Sequence, residues 1–446
     1  MEAVPQIKLR GINLMKSLRS FTTVLLVIVM VLGFSAVGFA QENDNNKQQT
    51  VTIAGGSVGI ELELTKKIAK KFEEEHPNVN VEVYTTPDLS DDRKGLYLQF
   101  LEAESTKIDV YQVDVIWPGE LSSHFLDLNN YGAQKVADKH FKAIIENNTV
   151  NGRLVAMPWF TDAGLLYYRT DLLNKYGYDH PPKTWEELEE MAKTIQKGEK
   201  KTNPDFWGYV WQGNAYEGLT CDALEWIHSS GGGRIVNENK EVTINNEKAI
   251  EIINKAAGWV GEISPPGVTG LVEESSRKMF EAGNAAFMRN WPYVYALASQ
   301  EEKATAGKFD VAPLPAGDSG NSSATLGGWN LAVSKYTDTP KIAAELALFM
   351  TSEKMQKLRA VEGSFNPTIK ELYRDEDVLK ANPFFGDLYE VFTSAVPRPS
   401  AELGEDYSVV SERFYQSVHA VLNGESNAEN ELEYLELEIK DILENK

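Results

Sequence analysis

The chain has 446 residues, too many for one ordinary hydrophobic core and suited to two lobes. Its composition is that of a globular protein, with 42% hydrophobic and 25% charged residues, and its formal charge is −22. A body that acidic repels nucleic acid and anionic lipid and disfavours polyanionic substrates, and no basic patch with interleaved aromatics offsets it.

The first forty residues read as a targeting segment. Lys8, Arg10, Lys16 and Arg19 precede the apolar run 24–32, and small residues follow up to Ala40. That order predicts a signal peptide over 1–40 with cleavage after Ala40; either Met1 or Met15 serves as its start. Residues 41–49 are polar and Asn-rich and read as a disordered leader. Cys221 is the only cysteine, so an intrachain disulfide and lipid attachment after the apolar run are both excluded. The expected location is periplasmic or extracytoplasmic, in soluble form.

The ordered chain is predicted to open with a strand at Val51, Thr52 and Ile53, running into the turn 55–59. A helix follows from about Glu61, with Leu64, Ile68, Ala69 and Phe72 on one face and Pro77 as its stop. Val79, Val81 and Val83 alternate as a strand, a helix covers about 92–105, and 109–113 is the third strand. This β-α-β-α-β order predicts a parallel sheet covered by helices. A second α/β unit begins with a strand over 165–169. Thr184 and Glu187 form a capping-box pattern at the start of the next helix. A strand over 206–211 and a helix over 217–228 continue the unit. Segments 285–288, 309–312 and 328–333 read as strands. The last helix carries Leu432, Leu435, Ile439, Ile442 and Leu443 on one face.

No phosphate-binding loop, dinucleotide-binding glycine pattern or nucleophile elbow is present. The six histidines never pair at helical spacing, so nothing points to a metal site, a cofactor or a catalytic residue. What remains is a set of aromatics beside strand ends: Trp117, Trp159, Phe160, Trp291, Tyr293 and Trp329. Glu61, Asp114 and Asp162 occupy the same kind of position, where open α/β sheets bind ligands. Sugars call for that combination, since their C–H faces stack on rings and their hydroxyls bond to charged planar groups. Taken singly, Trp117 and Trp159 read more readily as core than as site, and Asp162 also reads as a turn residue and Glu61 as a first-turn charge. Trp207, Trp211, Trp226 and Trp259 lie inside predicted elements and read as core.

Seven stretches, in order, resemble family 1 of the extracellular solute-binding proteins, the partners of ABC sugar importers. Among them are FEEEHPNVNVEV (72–83), DVYQVDVIWPGEL (109–121), PKTWEELEEMAKTIQ (182–196), AAFMRNWPYVYAL (285–297) and LGGWNLAVS (326–334). The resemblance is nearest to the trehalose- and maltose-binding members. It implies a two-lobed periplasmic-binding-protein fold of the α/β class, each lobe a mostly parallel sheet flanked by helices, with a ligand cleft between them. It places the amino-terminal lobe at 50–158 plus 308–363 and the carboxyl-terminal lobe at 161–305 plus 367–443. The implied ligand is a disaccharide or small oligosaccharide, the implied partners are the membrane permease subunits, and a monomer without catalytic activity is expected. Carried over by motif, the sugar-binding residues are Ser57, Glu61, Arg93, Asp114, Phe160, Asp162, Trp291, Tyr293, Gly328, Trp329 and Arg398. Phe160 stands where such proteins often carry tyrosine. Two other readings of the residues stay open at this point: a secreted glycoside-acting enzyme with paired carboxylates, and a sugar-sensing binding protein for a receptor.

Overall fold

The structure is a computed structural model that describes residues 48–317 and 319–444. The signal-peptide segment and all but the last two residues of the leader lie outside them. The first strand, β1 (Gln49–Gly55), starts two residues before the predicted one, because Gln49 and Thr50 already pair with Val79 and Asn80 of β2 (Val79–Thr85). Residues 48 and 49 therefore belong to the fold and not to the leader.

Helix α1 (Glu61–Glu75) buries Leu64, Thr65, Ile68, Ala69 and Phe72, the 3.6-residue stripe that its sequence announces. Glu61 and Glu63 sit in its first turn, where the helix dipole favours acids. It ends at His76, the residue before Pro77, which proline keeps out of the helical region. Helix α2 (Ser90–Glu102) then leads into β3 (Val110–Asp114), buried along its whole length. After a stretch of short helical turns comes β4 (Ala156–Ala163), also wholly buried, and then β5 (Leu165–Arg169).

Helix α3 (Trp185–Glu199) is capped as its sequence predicts: Thr184 Oγ1 accepts the Glu187 amide at 3.2 Å. The Glu187 carboxylate accepts from the Lys183 amide at 2.7 Å instead of closing the box on Thr184. Strand β6 (Trp207–Val210), α4 (Glu217–Ser229), α5 (Glu247–Trp259), α6 (Glu273–Glu281), β7 (Ala285–Asn290), β8 (Phe309–Ala312) and β9 (Leu326–Val333) follow. Helices α7 (Pro340–Met350), α8 (Glu353–Gly363), α9 (Tyr407–Leu422) and α10 (Ala428–Glu444) complete the set used below. In α10, Leu432, Leu435 and Ile439 are buried, while Ile442 and Leu443 are only half-buried at its free end.

The strands make two main sheets, ordered β2-β1-β3-β9-β4 and β8-β5-β7-β6. Pairing is more mixed than the β-α-β order alone implies. In the first sheet β1 runs parallel to β2 and β3, but β9 inserts antiparallel between β3 and β4. In the second, β6 and β7 are parallel while β5 is antiparallel to both β7 and β8. Late strands thus return to each sheet from elsewhere in the chain, which local periodicity cannot reveal.

Two boundaries move accordingly. Strand β4 stays paired to β9 through Ala163, so the chain leaves the first sheet at Gly164 and not within 158–161. Strand β8, assigned from the sequence to the amino-terminal lobe, hydrogen-bonds to β5 in the second sheet. The chain therefore returns to the first sheet between Ala312 and Leu326. Asn366, after α8, bridges to Thr161 of β4.

Candidate functional site

Strands of the first sheet, the turn after β7 and the start of α4 line one cavity of about 90 Å³. The space is therefore narrow. Ten of the eleven sequence-predicted residues line it: Glu61, Arg93, Asp114, Phe160, Asp162, Trp291, Tyr293, Gly328, Trp329 and Arg398. Ser57 does not. Its hydroxyl lies 2.5 Å from Asp88 Oδ1 and 3.1 Å from the Thr86 carbonyl, so it holds Asp88, which does line the cavity.

Strand β9 supplies the centre of the site. Gly328 has φ +121°, and a Cβ there would lie 2.5 Å from the Phe160 carbonyl oxygen and 2.7 Å from Thr161 Cα. Only glycine allows the two strands to approach so closely. Immediately beyond, the register of β9 against β4 slips: Trp329 pairs with Phe160 but Asn330 with Pro158. Such a bulge re-aims side chains next to sites. Trp329 is half-buried, with the Arg93 guanidinium 4.3 Å from its ring centroid and Trp117 edge-on at 5.4 Å.

Trp291, just after β7, is built in the same way. The Arg289 guanidinium lies 3.9 Å from its ring centroid, and its indole N–H donates to Glu273 Oε1 at 3.4 Å. Arg289 is itself fixed, because Nε and Nη2 donate to Glu225 at 2.9 and 2.6 Å and Nη1 donates to Gln212 at 3.0 Å. Both tryptophans are thus backed by a buried arginine, which stiffens each ring and adds a cation–π attraction. Tyr293 donates to Glu274 Oε1 at 2.9 Å and its ring packs on the Gly59 turn, where a Cβ would lie 2.7 Å from Tyr293 Cδ2.

The carboxylates differ in how far the protein already uses them. Arg398 ties Asp114 of β3 to Glu217 of α4, donating to each at 2.8 Å. Glu217 also accepts from Tyr407 and, at 2.6 Å, from Ser411. Burial pushes the Asp114 carboxyl above its usual range although Arg398 opposes this. Asp162 accepts no side-chain hydrogen bond from the described residues. Burial, reinforced by Glu61 and Asp114, raises it well above the usual carboxylate range, against the opposing charges of Arg359 and Arg289. Glu61 accepts from Gln112 Nε2 at 2.5 Å. Acceptors thus remain free for hydroxyl donors.

Trp117, Trp159, Trp211, Trp226 and Trp259 are buried in the core and Trp207 is half-buried. Sequence reasoning missed Asp88, Tyr216, Glu217, Cys221, Glu273 and Phe365. Glu217 starts a helix that was foreseen, so the reasoning that chose Glu61 at a helix start could have chosen it. Phe365 lies in the gap 364–366 between the stretches expected to belong to the two lobes. Asp88 and Glu273 carry no local signal. Among the described residues no group of three or more His, Cys, Asp or Glu side chains is arranged to hold a metal ion, and no helix is long and apolar enough to cross a membrane.

Comparison with known proteins agrees with this architecture. The family of bacterial extracellular solute-binding proteins matches residues 58–357. A Deinococcus radiodurans protein named as a probable ABC transporter-binding protein is 52% identical over 84% of this chain and 90% of its own length. The maltose-bound MalE3 of T. maritima superposes with a TM-score of 0.84 at 40% identity, over 88% of this chain and 99% of that one. The GacH receptor of Streptomyces glaucescens, at 23% identity and a TM-score of 0.78 over 89% and 98%, shares the fold alone. The two-lobed α/β fold and the matched sequence make this chain a member of the bacterial extracellular solute-binding proteins, the substrate-binding components of ABC transporters, and so a binding protein and not an enzyme.

Proposed function

We propose that the protein captures a small neutral α-glucoside, maltose or trehalose being the leading examples, and hands it to a membrane permease. The observation that carries this reading is the pairing of two arginine-backed tryptophans, Trp291 and Trp329, with carboxylates in one narrow cavity, Asp162 among them accepting no side-chain hydrogen bond from the described residues. Rings and planar acceptors in that proportion suit the C–H faces and hydroxyls of two linked hexoses. The identity to maltose-bound MalE3 supports the same class of ligand. Six acids line the cavity (Glu61, Asp88, Asp114, Asp162, Glu217 and Glu273) against two arginines, Arg93 and Arg398. Anionic sugars are therefore disfavoured.

In this reading residues 1–40 direct export and the mature protein acts as a monomer. The first sheet belongs to one lobe and the second to the other, and ligand draws them together by hinge bending. Isothermal calorimetry on the purified protein tests it. Maltose or trehalose should bind with micromolar affinity or better, about −8 kcal/mol, and glucuronic acid and glucose phosphates should not. Absence of binding to any α-glucoside, with clear binding of a peptide or metal ion, would overturn the reading.

A further inference from the structure

Outside the cavity, helix α2 meets α4 and α9 through polar side chains. Helix α2 lies between β2 and β3 of the first sheet, and α4 lies between β6 and β7 of the second. Helix α9 is fastened to α4: Tyr407 and Ser411 both donate to Glu217, the latter at 2.6 Å, and Thr220 and Ser411 share a hydrogen bond of 2.8 Å. Facing this pair, Lys94 of α2 and Glu120, in the short helix Pro118–Leu121 after β3, form an ion pair at 2.5 Å. Both then bond to Ser408 of α9. Its hydroxyl donates to Glu120 Oε2 at 2.9 Å and accepts from the Lys94 ammonium, so both of its roles are used. The Lys94 and Glu120 side chains are only 11% and 17% exposed, so salt screens them little. One turn earlier in α2, Asp91 Oδ2 accepts at 3.0 Å from the amide of Glu217, the first residue of α4. A carboxylate beside the first sheet thus caps a helix beside the second, where the helix dipole favours it.

We propose that Asp91, Lys94, Glu120 and Ser408 form a clasp that holds the two lobes in the closed arrangement, and that they act as positioning residues for ligand without touching it. None of the four lines the cavity. Their neighbours do: Arg93 stands between Asp91 and Lys94 on α2, and Glu217 is the residue whose amide Asp91 holds. The helices that carry the clasp therefore also carry walls of the cavity, and bringing the walls together and fastening the clasp are one movement. With α2 drawn away from α4 and α9, the same groups would be hydrated instead. The clasp stabilises the closed arrangement by that difference alone, and a larger closed fraction raises apparent affinity in proportion. The clasp rests on the assignment of the two sheets to two lobes, and its effect on maltose rests in addition on the sugar-binding reading.

The test uses the whole protein with exposed Glu74→Cys on α1 and Thr194→Cys on α3 labelled as an energy-transfer pair, the native Cys221 being buried. Single-molecule transfer counts the closed fraction without sugar, and stopped-flow mixing gives the maltose association and dissociation rates. In Ser408→Ala the closed fraction should fall. Maltose should then leave about three- to tenfold faster, the scale of one partly exposed hydrogen bond to charged groups, while its association rate changes much less. Asp91→Ala should act in the same direction, and Ser408→Thr, which keeps the hydroxyl, should match the wild type. If Asp91→Ala does not fold, Ser408→Ala against Ser408→Thr carries the comparison. Variants that melt earlier but keep the closed fraction and both rates would reduce these contacts to structural ones and overturn the proposal. A sugar-free wild type with no closed population overturns it as well. A closed fraction that falls in a protein that binds no α-glucoside supports the clasp and instead overturns the sugar-binding reading.

Discussion

Trp329 is the single residue on which the site can be tested most sharply. It is only half-buried, it lines the cavity, and Arg93 and Trp117 already hold it in place. Trp329→Ala should weaken sugar binding by roughly 1–3 kcal/mol, the scale for losing a central aromatic contact. Its melting temperature should change little, because a residue on the wall of a wet cavity supports little of the core. Were it core, the same change would leave a void costing roughly 3–5 kcal/mol of stability. Calorimetry and thermal melting of one variant separate the two. Normal binding with early melting would remove Trp329 from the site.

At the scale of elements, the pairing of β9 with β4 decides the geometry of the cavity. Gly328→Ala would bring a methyl group into backbone atoms of Phe160 and Thr161 at a positive φ, and neither neighbour is a flexible side chain. The expected cost is about 1–3 kcal/mol of stability, with sugar affinity falling as well because Trp329 and Phe160 shift together. Chemical denaturation and calorimetry check this; a variant as stable and as tight as wild type would show that the strands can separate freely.

The same pair of strands shows what was legible in the sequence. The strand-like run 328–333 marked β9, and the stretch LGGWNLAVS marked Trp329 as a site residue, because both signals are local. That β9 would insert between β3 and β4, or that β8 would join β5, depends on pairing across long stretches of chain, for which local patterning holds no information. The site divides along the same line. Glu61, Asp114, Trp291 and Arg398 were legible from motifs, whereas Asp88 reaches the cavity from a loop that carries no local signal.

Across the whole molecule, pH should set the stability of the ligand-free protein through groups of opposite sign. Burial raises Asp114, Asp162, Asp222 and Glu225 above their ordinary values near 4. A raised acid binds protons more tightly in the folded state, so its contribution is fully present below about pH 4 and is lost as pH climbs through the raised folded value. His140 works the other way. Burial, with Lys139 adding to it, lowers it from 6.5 to about 4, and its nearest polar partner is Thr368 Oγ1 at 2.7 Å. The folded state therefore loses stability as pH falls from 6.5 toward 4. Lowering the pH from 8.5 should raise the melting temperature through the buried acids, and His140 should oppose that rise between about 6.5 and 4, where the unfolded chain takes up its proton and the folded one does not. The net charge of −22 pushes in the same direction, since each proton the folded protein takes up eases self-repulsion in the acidic body. Salt separates the two causes. About 0.5 M NaCl shortens the screening length to a few ångströms and removes most surface repulsion, but it leaves the buried acids untouched. The rise between pH 8.5 and 6.5 should persist in salt, and Asp162→Asn should flatten part of it. A slope abolished by salt and indifferent to Asp162→Asn would assign the effect to surface charge and leave the buried carboxylates without influence on folding.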